Sequence, residues 1–119
     1  MRVAIIGSRS VTDAFYGKLC EKVPVGASEI ISGGAKGADA LARRYAEENR
    51  LPLTTIRPDY GTYGRAAPLK RNEQIVLRAD YVLALWDGRS RGTAYVIDAC
   101  IRAYTPVRVI LCKNQTAYT

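Results

Sequence analysis

Short runs of apolar, β-branched residues alternate along this chain with longer stretches whose apolar positions return every three or four residues. Arg2 to Ile6 is the first short run and stops at Gly7. Glu29 to Ile31, stopped by Ser32-Gly33-Gly34, and Leu53 to Ile56, ended by Arg57-Pro58, read as the second and third strands. Tyr81 to Trp86 and Val107 to Cys112 read as the fourth and fifth. Between them lie four helical patterns. Thr12 to Lys22 places Phe15, Leu19 and Cys20 on one face, with Thr12 or Asp13 as its cap. Lys36 to Asn49 is the clearest, since Ala38, Leu41, Ala42, Tyr45 and Ala46 form one stripe of a 3.6-residue period. Pro68 suits a helix first turn, with Leu69, Ile75, Val76 and Ala79 behind it. Thr93 to Tyr104 is the last helix, with Thr93 able to cap it. Asp59 to Ala67 and Asp87 to Gly92 read as loops, and the tail from Lys113 has no pattern.

Strands alternating with helices in this way predict a parallel sheet covered on both faces. The fold class is α/β: a Rossmann-like three-layer domain with a five-stranded parallel sheet and right-handed crossovers. Residues 1–112 form it as a single domain, and 113–119 are a C-terminal tail. Ligands of such sheets bind outside the carboxyl ends of the strands, where strand order reverses.

Composition narrows the chemistry. The 119 residues suit one domain, and 48% apolar with 24% charged residues suits a globule. There is no histidine, which excludes a Ser-His-Asp triad, a Cys-His pair, a His-ligated zinc and a His general base. Cys20, Cys100 and Cys112 have no metal-ligand spacing and read as buried small hydrophobes in a reducing compartment. No apolar run approaches the ~20 residues of a membrane span. The chain opens Met1-Arg2-Val3-Ala4 and reaches glycine at once, so no targeting segment and a cytoplasmic location are expected.

The net charge of +7 favours anionic partners. Loops and helix starts after the first four strands carry Arg9, Lys36, Arg57, Arg65, Lys70, Arg71, Arg89 and Arg91 against Asp13, Asp39, Asp59 and Asp87. Two of these loops open into helices through glycine, and helix N-termini hold phosphate well. Ser32-Gly33-Gly34-Ala35-Lys36-Gly37-Ala38-Asp39 is the first; its glycines let backbone approach a phosphate, or merely make a tight turn. Asp39 could bond a ribose hydroxyl or complement the helix dipole. Asp87-Gly88-Arg89-Ser90-Arg91-Gly92-Thr93 is the second, where Ser90, Thr93 and the N–H groups around Gly92 could ring a phosphate. After the first strand comes Gly7-Ser8-Arg9-Ser10, which lacks the later glycines of the dinucleotide fingerprint and so disfavours ordinary NAD binding. Tyr60 and Tyr63 could stack on a base, and Trp86 could roof the site.

The run Gly7-Ser8-Arg9, then Ser32-Gly33-Gly34-Ala35-x-Gly37-Ala38-Asp39, then Arg71-Asn72 before Ala79-Asp80, then Asp87-Gly88-x-Ser90-x-Gly92-Thr93, resembles the SLOG superfamily. That group includes the Lonely Guy phosphoribohydrolases and the DNA-processing protein DprA (Smf). The likeness is closest to its small stand-alone YspA-type branch. The resemblance implies a nucleotide or nucleotide-derived ligand between the two glycine loops, with Gly7, Ser8, Arg9, Ser32, Gly33, Gly34, Ala35, Lys36, Gly37, Asp39, Arg71, Asn72, Asp87, Gly88, Ser90, Gly92 and Thr93 around it. Arg71 stands at the offset of the Lonely Guy arginine. Their catalytic glutamate corresponds to Val96, which cannot take a proton, and the first of their glycine pair corresponds to Asp87. Asp98 is turned by roughly 200° from Val96 on a helix and is a poor substitute.

Three functions follow as expectations. The first is binding or sensing of a nucleotide-type phosphate ligand without turnover, with no cofactor or metal required. The second is a nucleotide N-glycosidase, phosphoribohydrolase or deoxyribosyl transferase, in which Asp39 or Asp87 replaces the missing glutamate beside Arg71. The third, by likeness to DprA, is single-stranded nucleic-acid binding on the basic edge. Members of the superfamily often pair, so a homodimer is expected.

Overall fold

The computed structural model describes residues 1–113; the expected tail lies almost wholly outside the described residues. Five strands form one sheet: β1 (Arg2–Gly7), β2 (Glu29–Ser32), β3 (Leu53–Thr55), β4 (Tyr81–Trp86) and β5 (Val107–Leu111). Every pairing is parallel, and the order is β3-β2-β1-β4-β5. Strand order therefore reverses between β1 and β4, where Ile5 pairs with Leu83 and Gly7 with Leu85.

Alternation along the central strands builds two cores. Val3, Ile5, Leu83 and Leu85 pack with Leu19 of α1 (Tyr16–Lys22) and with Leu41 and Ala42 of α2 (Ala38–Glu48). Ala4, Ile6, Val82 and Ala84 pack on the opposite face with Ile75 and Val76 of one helix and Val96 and Cys100 of another. Those two are α4 (Ala67–Arg78) and α5 (Arg91–Ala103). The period-two strand pattern thus feeds two 3.6-period helix layers, as the α/β reading requires.

Four local expectations are corrected. The segment from Asp59 is wound into a single helical turn, α3 (Tyr60–Tyr63), and a 3₁₀ turn at Gly64–Ala66. Asp59 causes this by capping, its carboxylate accepting from the Thr62 N–H at 3.1 Å and hydroxyl at 2.7 Å. The first helix opens as a 3₁₀ turn at Asp13–Phe15, preceded by Thr12, whose side chain makes no capping bond. The tighter turn changes the helical phase, so Tyr16, Leu19 and Val23 face inward and Cys20 is exposed. Leu69 is likewise on the outer side of α4, 43% exposed, whereas Ile75 and Val76 are buried. Finally, α5 starts at Arg91 and is capped by Ser90, whose hydroxyl accepts from the Thr93 N–H. Thr93 lies inside the first turn.

Among the described residues no helix is long and apolar enough to cross a membrane. Cys100 and Cys112 are buried, and burial pushes both thiols up to about 11.

Candidate functional site

The carboxyl ends of β1, β2 and β4 surround a cavity of about 490 Å³. Close packing beneath it dictates three of the glycines. A Cβ on Gly7 would collide with the Leu85 carbonyl and the Ala38 methyl, so β1 can lie against β4 and α2 only with glycine here. Gly37 sits at φ +68 against the Ser8 and Arg9 carbonyls, which locks the start of α2 under the loop after β1. Gly33 faces the Arg71 guanidinium, which a Cβ would strike at 2.5 Å.

Arg71 is half-buried, on the first turns of α4. Its Nη1 donates to the Gly33 carbonyl at 2.7 Å, and its Nε donates to Asn72 Oδ1 at 2.8 Å. Among the described residues its Nη2 makes no hydrogen bond. Burial lowers the Arg71 pKa from its ordinary value, and Asp39 opposes that shift. Even lowered, a guanidinium stays protonated at neutral pH. Arg71 therefore presents a fixed, partly desolvated cation to the cavity.

Asp39 is buried in the first turn of α2. It accepts from the Ala35 N–H at 2.8 Å and the Gly33 N–H at 3.4 Å. Burial pushes its carboxyl above the usual range, opposed by those N–H groups and by Arg71 and Arg9. Asp39 thus organises the glycine loop that precedes it.

The loop after β4 is built the same way. Asp87 Oδ1 accepts from the Arg89 and Ser90 N–H groups, both at 2.8 Å, and Oδ2 accepts from Ser10 Oγ at 3.0 Å. The Ser90 and Arg89 N–H groups hold the Asp87 carboxyl down at about 2. Buried Ser8 joins the loops: its Oγ accepts from the Asp87 N–H at 3.1 Å and lies 3.4 Å from Thr93 Oγ1. Thr93 Oγ1 in turn donates to Ser90 Oγ at 3.1 Å.

The cavity brings together Gly7, Arg9, Gly33, Ala35, Asp39, Arg71, Asn72, Asp87, Ser90, Gly92 and Thr93 from the expected set. Ser8 and Ser32 lie buried behind its wall, and Gly34, Lys36, Gly37 and Gly88 do not line it. Of the cations expected at this edge, only Arg9 and Arg71 line the cavity. Lys70 pairs with Glu73 at 3.7 Å, and Arg57 reaches the Gly34 carbonyl at 3.4 Å. Tyr60 and Tyr63 are exposed and stand outside the lining. Trp86 does not roof the site; its indole N–H donates to the Ser90 carbonyl at 3.0 Å and braces the loop from behind.

Sequence reasoning missed the apolar wall formed by Ile6, Pro68, Ile75 and Val96. Ile6, Ile75 and Val96 belong to the core pattern, and only the strand order shows that this core opens at the switch point. Ser10 was also passed over, although it lies two residues beyond Ser8 in the same loop. Among the described residues no cluster of Cys, Asp and Glu could hold a metal ion.

Comparison with known proteins places the chain in a family. A family model described as the YspA, cpYpsA-related SLOG family matches residues 1–63, which carry the loops after β1 and β2. The gene 61 protein of Mycobacterium phage D29 is 35% identical over 118 residues, covering 89% of this chain and 93% of the phage protein. No solved structure matches. The family model spans more than half of the chain, and the glycine loops and parallel sheet fit it: the chain belongs to the YspA, cpYpsA-related SLOG family.

Proposed function

We propose that the protein binds a nucleotide or nucleotide-derived phosphate ligand in the cavity between the loops after β1, β2 and β4, without turning it over. The observation that carries this reading is the seat of Arg71. Two of its nitrogens are fixed by Gly33 and Asn72, and Nη2 is left without a partner among the described residues. A desolvated guanidinium held this way suits a phosphate oxygen. The first turn of α5 supplies N–H groups that a helix cannot satisfy itself. The apolar wall suits a base or sugar face.

Absence of turnover is supported by the residue facing the ligand space. Val96 lines the cavity where the Lonely Guy enzymes place a glutamate, and valine can neither donate nor accept a proton. Asp39 and Asp87 are engaged with backbone N–H groups of their own loops, so neither is free to take the missing role without breaking them.

A thermal-shift panel at fixed salt tests the reading, with AMP, NAD, ADP-ribose, cyclic nucleotides and a short thymidine oligonucleotide. A ligand at 100 times its dissociation constant adds about 2.7 kcal/mol, a shift of several degrees for a domain this size. The expected result is a shift with a mononucleotide-type ligand, lost in Arg71→Ala, with the ligand recovered intact. Cleavage at enzyme-like rates would establish the glycosidase reading instead. A response confined to the oligonucleotide would establish nucleic-acid binding, through the exposed Lys36, Arg57 and Tyr60 outside the cavity.

A further inference from the structure

Glycine loops at helix starts hold phosphate because their backbone N–H groups converge on empty space. In this protein that space is already taken, in both loops, by a carboxylate of the chain itself. The Ala35 and Gly33 N–H groups are given to Asp39. The Arg89 and Ser90 N–H groups are given to Asp87. The charges lining the cavity are Arg9 and Arg71 against Asp39 and Asp87, so they cancel. What remains for an anion is Arg71 Nη2, Arg9 and the first turn of α5 around Gly92. All three line the same cavity, and among the described residues no other cation does.

A second phosphate would have to extend toward a glycine loop and meet the carboxylate inside it. Asp39 is buried beneath Gly33 and Ala35 and is flanked by Arg71, which offsets its charge. Asp87 is only partly buried, lies three residues before the cap of α5, and its carboxylate accepts only from the Ser10 hydroxyl and the Arg89 and Ser90 N–H groups, all neutral donors. Its charge is therefore the one that a second phosphate beside α5 would feel. Resting on the ligand reading above, we propose that Asp87 is a specificity-determining residue: its carboxylate makes the site refuse a diphosphate where it accepts the monophosphate.

Calorimetric titration of the full chain with the 5′-mono- and diphosphates of adenosine, guanosine, cytidine and uridine tests this. In the wild type the diphosphate of the preferred nucleoside binds about tenfold or more weakly than its monophosphate, because like charges in juxtaposition are costly. Asp87→Asn keeps an oxygen for the Arg89 and Ser90 N–H groups and removes the charge, and it narrows the gap to about threefold or less. Ionic strength gives a second reading that needs no variant. Screening a local repulsion improves diphosphate binding relative to monophosphate, whereas screening a general attraction to a basic protein worsens it. A wild type that takes the diphosphate as tightly, an unchanged gap in a folded Asp87→Asn, or a gap that widens with salt overturns the role of Asp87 and leaves the ligand reading standing. Binding of neither member of any pair overturns the role of Asp87, and it removes the ligand reading as well when no nucleotide of the thermal-shift panel binds.

Discussion

Two glycines, Gly37 outside the cavity lining and Gly92 within it, answer to different demands, and substitution separates them. Gly37 lies at φ +68 with carbonyls of Ser8 and Arg9 where a side chain would go. Gly37→Ala is expected to cost about 2 kcal/mol or more, read as a lower urea midpoint. Gly92 has neither a left-handed backbone nor any atom within 4 Å of a Cβ, yet it lines the cavity at the second residue of α5. Gly92→Ala should leave the fold as stable or up to about 1 kcal/mol more stable, as in a helix generally, while weakening phosphate-ligand affinity about tenfold. The two cavity carboxylates also separate by pH. The folded value of Asp87 is about 2 against an ordinary 3.8, so its stabilising contribution is present above 3.8 and disappears as pH falls through 2. Asp87→Asn should therefore melt lower than wild type at pH 7, with the gap closing as pH falls from about 4 to below 2. Asp39 has the opposite sign: its raised value favours the fold in acid and weighs against it as pH rises.

At the scale of elements, Ser90 is the joint between cavity and helix. It caps α5 through its hydroxyl, accepts the Trp86 indole N–H on its carbonyl and donates its own N–H to Asp87. Ser90→Ala removes only the first of these and should cost about 1 kcal/mol in denaturant unfolding. Short apolar runs and 3.6-residue periods make the five strands and four helices legible from sequence, because burial on both faces of a strand and on one face of a helix leaves those marks directly. What stayed hidden depended on phase or on contacts far along the chain. A 3₁₀ start rotated α1 and turned Cys20 outward, which no period reveals. The cap of α5 is Ser90 and not the expected Thr93, and residue type alone does not separate them, since serine and threonine are both good caps. Arg71 and the glycine loops could be found by their motifs. That Asp39 and Asp87 close those loops from within could not, because it depends on which N–H groups the backbone aims at them.

For the whole molecule, the excess charge and the cavity are separate features. The chain carries +7, while the cavity's own charges cancel. Affinity for a mononucleotide-type ligand should then change by less than about threefold between roughly 50 and 200 mM salt, whereas contacts to a run of phosphates would fall far more steeply. Titrations at the two salt concentrations check this. The strand order has a kinetic side as well. The cavity straddles β1 and β4, whose neighbourhood is closed by contacts such as Arg2 to Asp80, 78 residues apart. Closing so long a loop is slow, and its entropy is lost before the contacts it permits are gained. A ligand held by Arg9 from the beginning of the chain and by the start of α5 near its end would act as a non-covalent staple. It can enter only once β1 and β4 have paired, and once there it slows the separation of those two strands.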